Sequence, residues 1–124
     1  MYGQQNPALT ATYTGFKNGE TLATSDISGA ATLVTSALAG SSVGNYPITA
    51  AKGSLASGNY DFTFVNGVLT IGKATVTITA DNKSRIYGAA NPAFTATYNG
   101  FVNGENLANS GISGVPVLTT TATV

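Results

Sequence analysis

The chain of 124 residues contains no cysteine, no histidine and no tryptophan. Without cysteine it forms neither a disulfide scaffold nor a thiolate metal site, and its redox compartment stays undetermined. Without histidine it lacks the usual general base of nucleophilic catalysis. The missing residue types therefore argue against an enzyme of the Ser-His-Asp or Cys-His kind, and they leave only oxygen donors for any metal.

Charge is also scarce, because five basic and five acidic residues make up only 8% of the chain and cancel to a net charge of zero. A globular sequence usually carries about a quarter of charged residues. So neutral a surface cannot neutralise a row of phosphates or concentrate on an anionic bilayer. No apolar run approaches the roughly 20 residues that span a bilayer. We therefore expect no nucleic-acid partner and no membrane insertion in this segment.

A long internal repeat is the main feature that the chain does have. Residues 2–39 recur as residues 87–124, with 23 identities in 38 aligned positions and no insertion or deletion. The offset of 85 residues has the size of a small domain and is too long for a solenoid repeat. Met1 stands where Ile86 stands before the second copy, which suggests a start inside a longer natural chain. We expect tandem domains, with any export signal or anchor outside this segment.

The hydrophobic pattern is that of strands joined by turns. Leu9–Phe16 alternates apolar residues with threonine, and its copy does the same. Tyr60–Ile71 predicts a β-hairpin with Asn66-Gly67 as a type I′ turn, and Ala74–Ile86 predicts a further strand. The remaining predictions are a turn at Asn18-Gly19, one helical turn at Glu20–Thr24, a strand at Thr32–Leu38, a loop at Gly40–Gly44, and a strand at Tyr46–Lys52 with Pro47 near its start, on a sheet edge.

Turn residues every 8 to 12 positions predict a mainly β chain, and specifically an Ig-like β-sandwich repeat. The alternative is a β-grasp-like sheet with one short helix. The composition break at Gly72-Lys73 predicts two units, residues 1–72 as a first repeat unit lacking its opening strand and residues 73–124 as the N-terminal part of a second. The segment is thus out of phase with the natural domains. We expect Ala74–Ile86 to pair within its own unit or to fill the vacant place in the first, in exchange with another copy.

Residues that carry chemistry are few, and we predict no catalytic, cofactor-binding or metal-binding residue. Gly40-Ser41-Ser42-Val43-Gly44 fits the G-x-S-x-G pattern of a nucleophile elbow, but no histidine accompanies it and a flexible loop is the better interpretation. Asp81-Asn82 is the sole candidate for Ca²⁺ and lacks the further oxygen ligands of a calcium loop. The carboxylates are interpreted as solvated turn residues: Glu20, Asp26, Asp61, Asp81 and Glu105.

The aromatic residues that recur in both copies have two interpretations. Exposed rings stack on sugars, whereas rings on the inward alternation of a strand form a core. We favour the core for Tyr2, Tyr13 and Phe16 and for their copies Tyr87, Tyr98 and Phe101. Asn82-Lys83-Ser84 fits the N-glycosylation acceptor pattern, and its use depends on whether the producing organism glycosylates such sites.

The spacing of the turn motifs resembles a known family. Tyr87-Gly88, Asn91-Pro92, Gly100-Phe101, Asn103-Gly104, Val43-Gly44, Asn59-Tyr60 and Asn66-Gly67 are each weak, but together they are specific. Joined in natural order they are similar to one MBG-type repeat of the YGX class, found in tandem in large secreted bacterial adhesins and other surface proteins. The resemblance covers nearly the whole chain.

The resemblance implies a non-catalytic module, outside the cell or on a bacterial cell surface, that acts as a structural spacer in a stalk. Its partners would be the neighbouring repeat units of the same chain, and it transfers no catalytic residues or cofactors. The alternative function is adhesion to a glycan or protein through exposed loops such as Gly40–Gly44. A third interpretation is self-association through open strand edges.

Overall fold

The computed structural model describes all 124 residues, Met1–Val124. The chain is mainly β, and its five strands form two antiparallel sheets. It has no helix, so neither the helix of the β-grasp alternative nor a helix able to cross a bilayer is present. The chain folds as two compact units, Met1–Gly72 and Lys73–Val124. The predicted mainly β class is confirmed, and the sheets are consistent with a β-sandwich-like repeat.

The first unit contains a three-stranded antiparallel sheet in the order β1-β2-β3. These strands are β1 (Thr32–Thr35), β2 (Gly44–Ala51) and β3 (Gly67–Ile71). Along β2, half-buried and exposed residues alternate strictly, as expected for a strand with one face toward a core. The predicted strands at 32–38 and 46–52 are therefore present, although the first is shorter and the second begins two residues earlier.

The prediction that Pro47 marks an edge strand is wrong, because β2 is the central strand. Its pairing with β1 ends at Ile48, which lies opposite Thr35, whereas its pairing with β3 continues from Ile48 to Gly44. Pro47 thus lies one residue beyond the part of β2 that β1 covers. A proline removes one N–H from a ladder, and here only one neighbouring strand is present.

The predicted Tyr60–Ile71 hairpin is also wrong. Residues 60–66 form no strand, and β3 pairs instead with β2, with Gly67 opposite Ile48. Neither Asn66 nor Gly67 has the positive φ that a type I′ turn needs. Asn66 instead accepts a hydrogen bond at Oδ1 from the backbone N–H of Ala50, at 3.1 Å. The longer register with β2 outweighs the local turn preference of the Asn-Gly pair.

The second unit contains a two-stranded antiparallel sheet of β4 (Thr77–Ala80) and β5 (Ala96–Asn99). Thr77 lies opposite Asn99, and Ala80 lies opposite Ala96. The Asp81 N–H extends the ladder by donating to the Thr95 carbonyl, at 2.8 Å. Of the two predicted fates of the Ala74–Ile86 strand, pairing within its own unit is the one present.

The first-unit counterpart of β5 is residues 11–14, and it forms no strand. No backbone hydrogen bond to other backbone joins residues 8–16 to the rest of the unit. The predicted Leu9–Phe16 strand is thus formed only by its copy, since only the copy has a β4 to pair with.

The turn after the Gly-Phe pair is the same in both copies. Asn18 and Gly19 have φ values of 54° and 69°, and Asn103 and Gly104 have 55° and 71°. The Glu20 N–H donates to the Lys17 carbonyl across the turn, at 2.9 Å. Positive φ at both central residues is the type I′ geometry that asparagine and glycine favour. The predicted Asn18-Gly19 turn is confirmed. A single helical turn follows it, in which the Ser25 N–H donates to the Thr21 carbonyl at 2.9 Å, and this turn does not continue into a helix.

The hydrophobic core is small. Only Ala37, Leu55 and Ile71 are buried, and all three belong to the first unit. Many larger apolar side chains remain exposed, including Ile78 at 46% in β4. Each unit therefore depends on hydrogen bonds and close backbone packing as well as on apolar burial.

Candidate functional site

An open cavity of about 480 Å³ in the first unit is a feature that could bind a partner. We call it the groove. Its two walls are the backbone segments Thr10–Phe16 and Tyr60–Gly67, and its apolar floor includes Ile27, Leu33, Ile48 and Leu55. Neither wall is part of a strand before Gly67. The sequence indicated both wall segments as strands but did not show that they would line one cavity.

A carboxylate, a phenol and a second ring meet beside one wall of the groove. The Tyr60 hydroxyl donates to Glu20 Oε2 and accepts the Lys17 N–H, the latter at 3.2 Å. The hydrogen bond to Glu20 raises the pKa of Tyr60 above its ordinary value. The Phe16 and Tyr60 rings pack edge to face with centroids 5.9 Å apart. This arrangement ties the Asn18-Gly19 turn to the start of the second wall.

Asp26 holds a loop of the same unit in place. Its carboxylate accepts the Ser57 hydroxyl, and it accepts the Gly58 N–H at 2.8 Å. The hydrogen bond from Ser57, followed by that from Gly58, lowers the pKa of Asp26 below its ordinary value. Glycine replaces this residue in the second copy, at Gly111. Asp26 is exposed and lies in a bend, as expected for a solvated turn residue, and its carboxylate also holds the loop at Ser57-Gly58.

Asp81 binds two hydroxyls across the sheet of the second unit. Thr95 Oγ1 donates to Asp81 Oδ2, and Thr97 Oγ1 donates to Asp81 Oδ1, each at 2.6 Å. The bond from Thr95, followed by that from Thr97, lowers the pKa of Asp81. Asp81 is thus a structural carboxylate and not simply a solvated one. It belongs to no group of three or more acidic side chains able to hold a metal ion, so its use as the suggested Ca²⁺ ligand gains no support.

Thr95 and Thr97 donate hydrogen bonds to the ionised carboxylate of Asp81. We therefore expect that acid, which protonates this carboxylate, weakens the pairing of β4 with β5. A lowered pKa means that Asp81 contributes stability that is full above its unfolded pKa, near 3.8. This contribution is lost as the pH falls below 3.8 through the folded pKa. We expect the opening free energy of the β4 and β5 amides, from hydrogen exchange corrected for intrinsic rates, to fall over this range.

The matched control for this pH prediction is Asp81→Asn, which keeps an acceptor oxygen but cannot titrate. It should start from a weaker pairing and lose the part of the acid dependence that Asp81 causes. Asp26 also has a lowered pKa, so amides of the first unit are followed separately. An unchanged acid dependence of β4 and β5 in Asp81→Asn would contradict the assignment.

The Tyr-Gly to Asn-Pro segment is held identically in the two copies. Asn6 Nδ2 donates to the Ala37 carbonyl at 2.6 Å, and Asn91 Nδ2 donates to the Ala122 carbonyl at 2.9 Å. Gly3 in the preceding turn has a φ of 78°. The repeated asparagine therefore fixes the turn to the chain 31 residues later in each unit. Sequence reasoning placed the turn but missed this long-range bond.

The other sequence candidates do not come together. The Ser41 hydroxyl accepts the Leu38 N–H at 2.9 Å within the turn that begins the Gly40–Gly44 loop. Tyr13 and Phe16 are half-buried, as predicted for core residues, whereas Tyr87 is fully exposed. The predicted core packing therefore fails at Tyr87, and no shared aromatic platform is formed.

The repeated Tyr-Gly, Asn-Pro and Asn-Gly turns thus share one geometry in two units. The sequence profile of the MBG domain of the YGX type matches residues 1–70 and 76–124. The chain belongs to this family. No curated protein and no solved structure matches it. The two MBG matches are separated by residues 71–75, which include the Gly72-Lys73 junction between the compact units. MBG domains are repeat domains of surface proteins and are not a known enzyme family.

Proposed function

We propose that this MBG chain is a non-catalytic structural spacer in the stalk of a large bacterial cell-surface adhesin. The observation that carries the proposal is the set of interactions that the copies share. The asparagine bonds from Asn6 and Asn91 and the type I′ turns at 18–19 and 103–104 recur in both units. The two copies therefore share interactions that determine the fold. A spacer needs only the same fold in each of its repeats.

The differences between the copies support the same proposal. Lys17 and Asp26 are replaced by Val102 and Gly111. A ligand site used by each unit would need its polar side chains in both copies, whereas a turn tolerates such changes on its surface. Asp26 has a loop-holding role in the first copy only. Neither position is therefore a shared binding residue.

The composition also suits a secreted or surface location. The chain has no free thiol to oxidise and a net charge of zero. It would place neighbouring repeats in series, joined by short junctions such as Gly72-Lys73. On this proposal its partners in the stalk are the adjacent units of the same chain.

Small-angle X-ray scattering on a chain of four joined 85-residue units tests the spacer. We expect a largest dimension that grows nearly in proportion to the number of units when two, three and four are compared. Limited bending at the junctions should leave the cross-section unchanged. Growth with the square root of the number of units, as for beads on a flexible string, would contradict the proposal.

Adhesion is the competing function, and the exposed loop at Gly40–Gly44 is its proposed contact. A glycan array and a cell-binding assay with one complete 85-residue unit test it. The spacer predicts no saturable binding. Saturable binding that is lost on replacing Ser42 and Val43 in this loop would favour adhesion instead.

A further inference from the structure

Four asparagine-glycine pairs in the chain share one spontaneous reaction. They are Asn18-Gly19, Asn66-Gly67, Asn99-Gly100 and Asn103-Gly104. Because glycine has no side chain beside its backbone nitrogen, this nitrogen can attack the side-chain carbonyl carbon of the asparagine that precedes it. The covalent chemistry open to the four pairs is the same, so differences in their reactivity come from the fold.

The type I′ turns at 18–19 and 103–104 leave the reacting groups free. Both asparagines and both glycines are exposed. Neither asparagine side chain has a hydrogen-bond partner, and an added Cβ at either glycine would meet nothing within 4 Å. A single backbone hydrogen bond closes each turn, at 2.9 Å in the first unit and 3.0 Å in the second. Little therefore opposes the rotation that brings the glycine nitrogen to the asparagine Cγ.

The turn is open in two different surroundings. In the first unit it accompanies the three-stranded sheet, and in the second it accompanies the β4–β5 sheet. The φ values of Asn18 and Asn103 are nonetheless 54° and 55°. The exposure of this turn therefore comes from the turn itself and does not depend on which other segments of a unit are present.

The side chain of Asn66 is already engaged. Its Oδ1 accepts the Ala50 N–H at 3.1 Å, although the residue is exposed. Gly67 begins β3 and lies opposite Ile48. Reaction at this pair requires the Asn66 amide to leave Ala50 and the end of β3 to separate from β2, which costs more than opening one turn.

The backbone at Asn99 is held in place. Asn99 is the last residue of β5 and lies opposite Thr77 in β4. Gly100 packs so closely on Thr75 that an added Cβ would overlap the Thr75 carbonyl. The Gly100 nitrogen therefore turns toward the Asn99 side chain only after this end of the β4–β5 sheet has opened.

We propose that Asn18 and Asn103 are sites of spontaneous covalent modification, one in each unit, and that the fold protects Asn66 and Asn99 from the same reaction. The glycine nitrogen gives its proton to a base and bonds to the asparagine Cγ. The bond from Cγ to Nδ2 then breaks, so that ammonia leaves and a succinimide ring remains. Water opens this ring at the side-chain carbonyl to give aspartate, or at the backbone carbonyl to give isoaspartate.

Isoaspartate at position 18 would also change how Tyr60 is held. Phe16 and Glu20 stand on either side of this turn, and both contact Tyr60. Isoaspartate adds one carbon to the backbone between them, so Phe16 and Glu20 no longer contact Tyr60 together. The Lys17 N–H, which donates to the Tyr60 hydroxyl, should then exchange faster with solvent.

Peptide mapping of the full chain during incubation in a mildly alkaline buffer tests the assignment of the sites. Digestion with pepsin in acid stops the reaction, and mass spectrometry locates each exchange of an amide nitrogen for oxygen. Asn18 and Asn103 should react at rates that agree within about threefold. Asn66 and Asn99 should react at least about tenfold more slowly, which corresponds to an additional opening free energy of about 1.4 kcal/mol.

The control is the same chain unfolded in guanidinium chloride, where all four pairs should react at similar rates. The ratio of the folded to the unfolded rate then isolates the effect of the fold at each pair. Equal rates at the four pairs in the folded chain would overturn the proposal. Protection of Asn18 as strong as that of Asn66 would overturn it as well.

Two variants test the route and its consequence at the first turn. Gly19→Ala places a methyl group beside the attacking nitrogen and should slow reaction at Asn18 at least about fivefold. Asn103 should react as before in this variant, and slow reaction at Asn66 reports that the first unit is folded. An unchanged rate at Asn18 would overturn the succinimide route.

Asn18→Asp supplies the aspartate product without the additional backbone carbon. Exchange of the Lys17 amide should stay near the wild-type rate in this variant. It should be about fivefold faster in the isoaspartyl fraction separated from aged wild-type chain, because the hydrogen bond to Tyr60 is lost. Equal Lys17 exchange in the variant and in the isoaspartyl fraction would overturn the release of Tyr60.

Discussion

Gly29→Ala should destabilise the first unit by about 2–5 kcal/mol, because two costs fall on one residue. Gly29 has a φ of 78°, a conformation that residues with a Cβ rarely adopt. A Cβ at this position would also overlap the carbonyl of Ser54. Backbone bonds fix that approach, since Ser28 and Ala56 exchange hydrogen bonds of 2.9 and 3.0 Å on one side. The Ser54 N–H donates to the Ala30 carbonyl on the other, at 3.1 Å.

The expected destabilisation by Gly29→Ala is a large fraction of the free energy of unfolding of the first unit. At about 0.05–0.15 kcal/mol per residue, a unit of this size has a free energy of unfolding of roughly 4–11 kcal/mol. Urea unfolding followed by circular dichroism, with amide exchange to assign the change to residues 1–72, measures the effect. Gly29→Ala should lower the urea midpoint substantially while the β4–β5 amides keep their exchange rates.

Two glycines separate backbone strain from collision. Gly19 has a φ of 69° and Gly114, the second-copy counterpart of Gly29, has a φ of 80°, and neither has an atom within 4 Å of an added Cβ. Alanine at either should cost only the strain, about 1–2 kcal/mol. If Gly29→Ala costs no more than Gly19→Ala, close packing against Ser54 does not hold the first unit together.

The local features were predictable from sequence because their causes are local. The Asn18-Gly19 turn follows from the tolerance of asparagine and glycine for positive φ. The β2 strand follows from alternation around Tyr46, Ile48 and Ala50. The composition break predicts a unit junction at Gly72-Lys73, and the fold divides into its two compact units between these residues.

The errors arose where distant segments decide the outcome. Asn66-Gly67 has the sequence of a hairpin turn, yet Asn66 binds Ala50 and β3 pairs with β2. Pro47 is tolerated in a central strand because β1 ends one residue away. No local pattern states which strand will be the neighbour, since pairing depends on the register of the whole sheet.

The sequence allowed individual residues of the groove to be aligned between the two copies, but it did not predict that they would form a groove. A comparison of the copies aligns Thr10 with Thr95 and Gly15 with Gly100. The groove itself depends on the segments at 10–16 and 60–67 lining one cavity. That relation joins residues about 50 positions apart, and hydrophobic periodicity carries no information on it.

Leu55→Ala should cost the first unit about 2–3 kcal/mol, near the lower end of the range for buried leucine. Leu55 is only 2% exposed and is one of the three buried side chains. It also lies among the residues that line the groove. Truncation removes packing contacts and enlarges that cavity, and a unit with only three buried side chains has few other contacts to compensate.

Leu38→Ala is the matched control, because Leu38 lies in the same unit and is 71% exposed. It should change the free energy of unfolding by less than about 0.5 kcal/mol. Both variants are measured by urea unfolding. Equal costs for the two variants would mean that burial of Leu55 does not determine the stability of this unit.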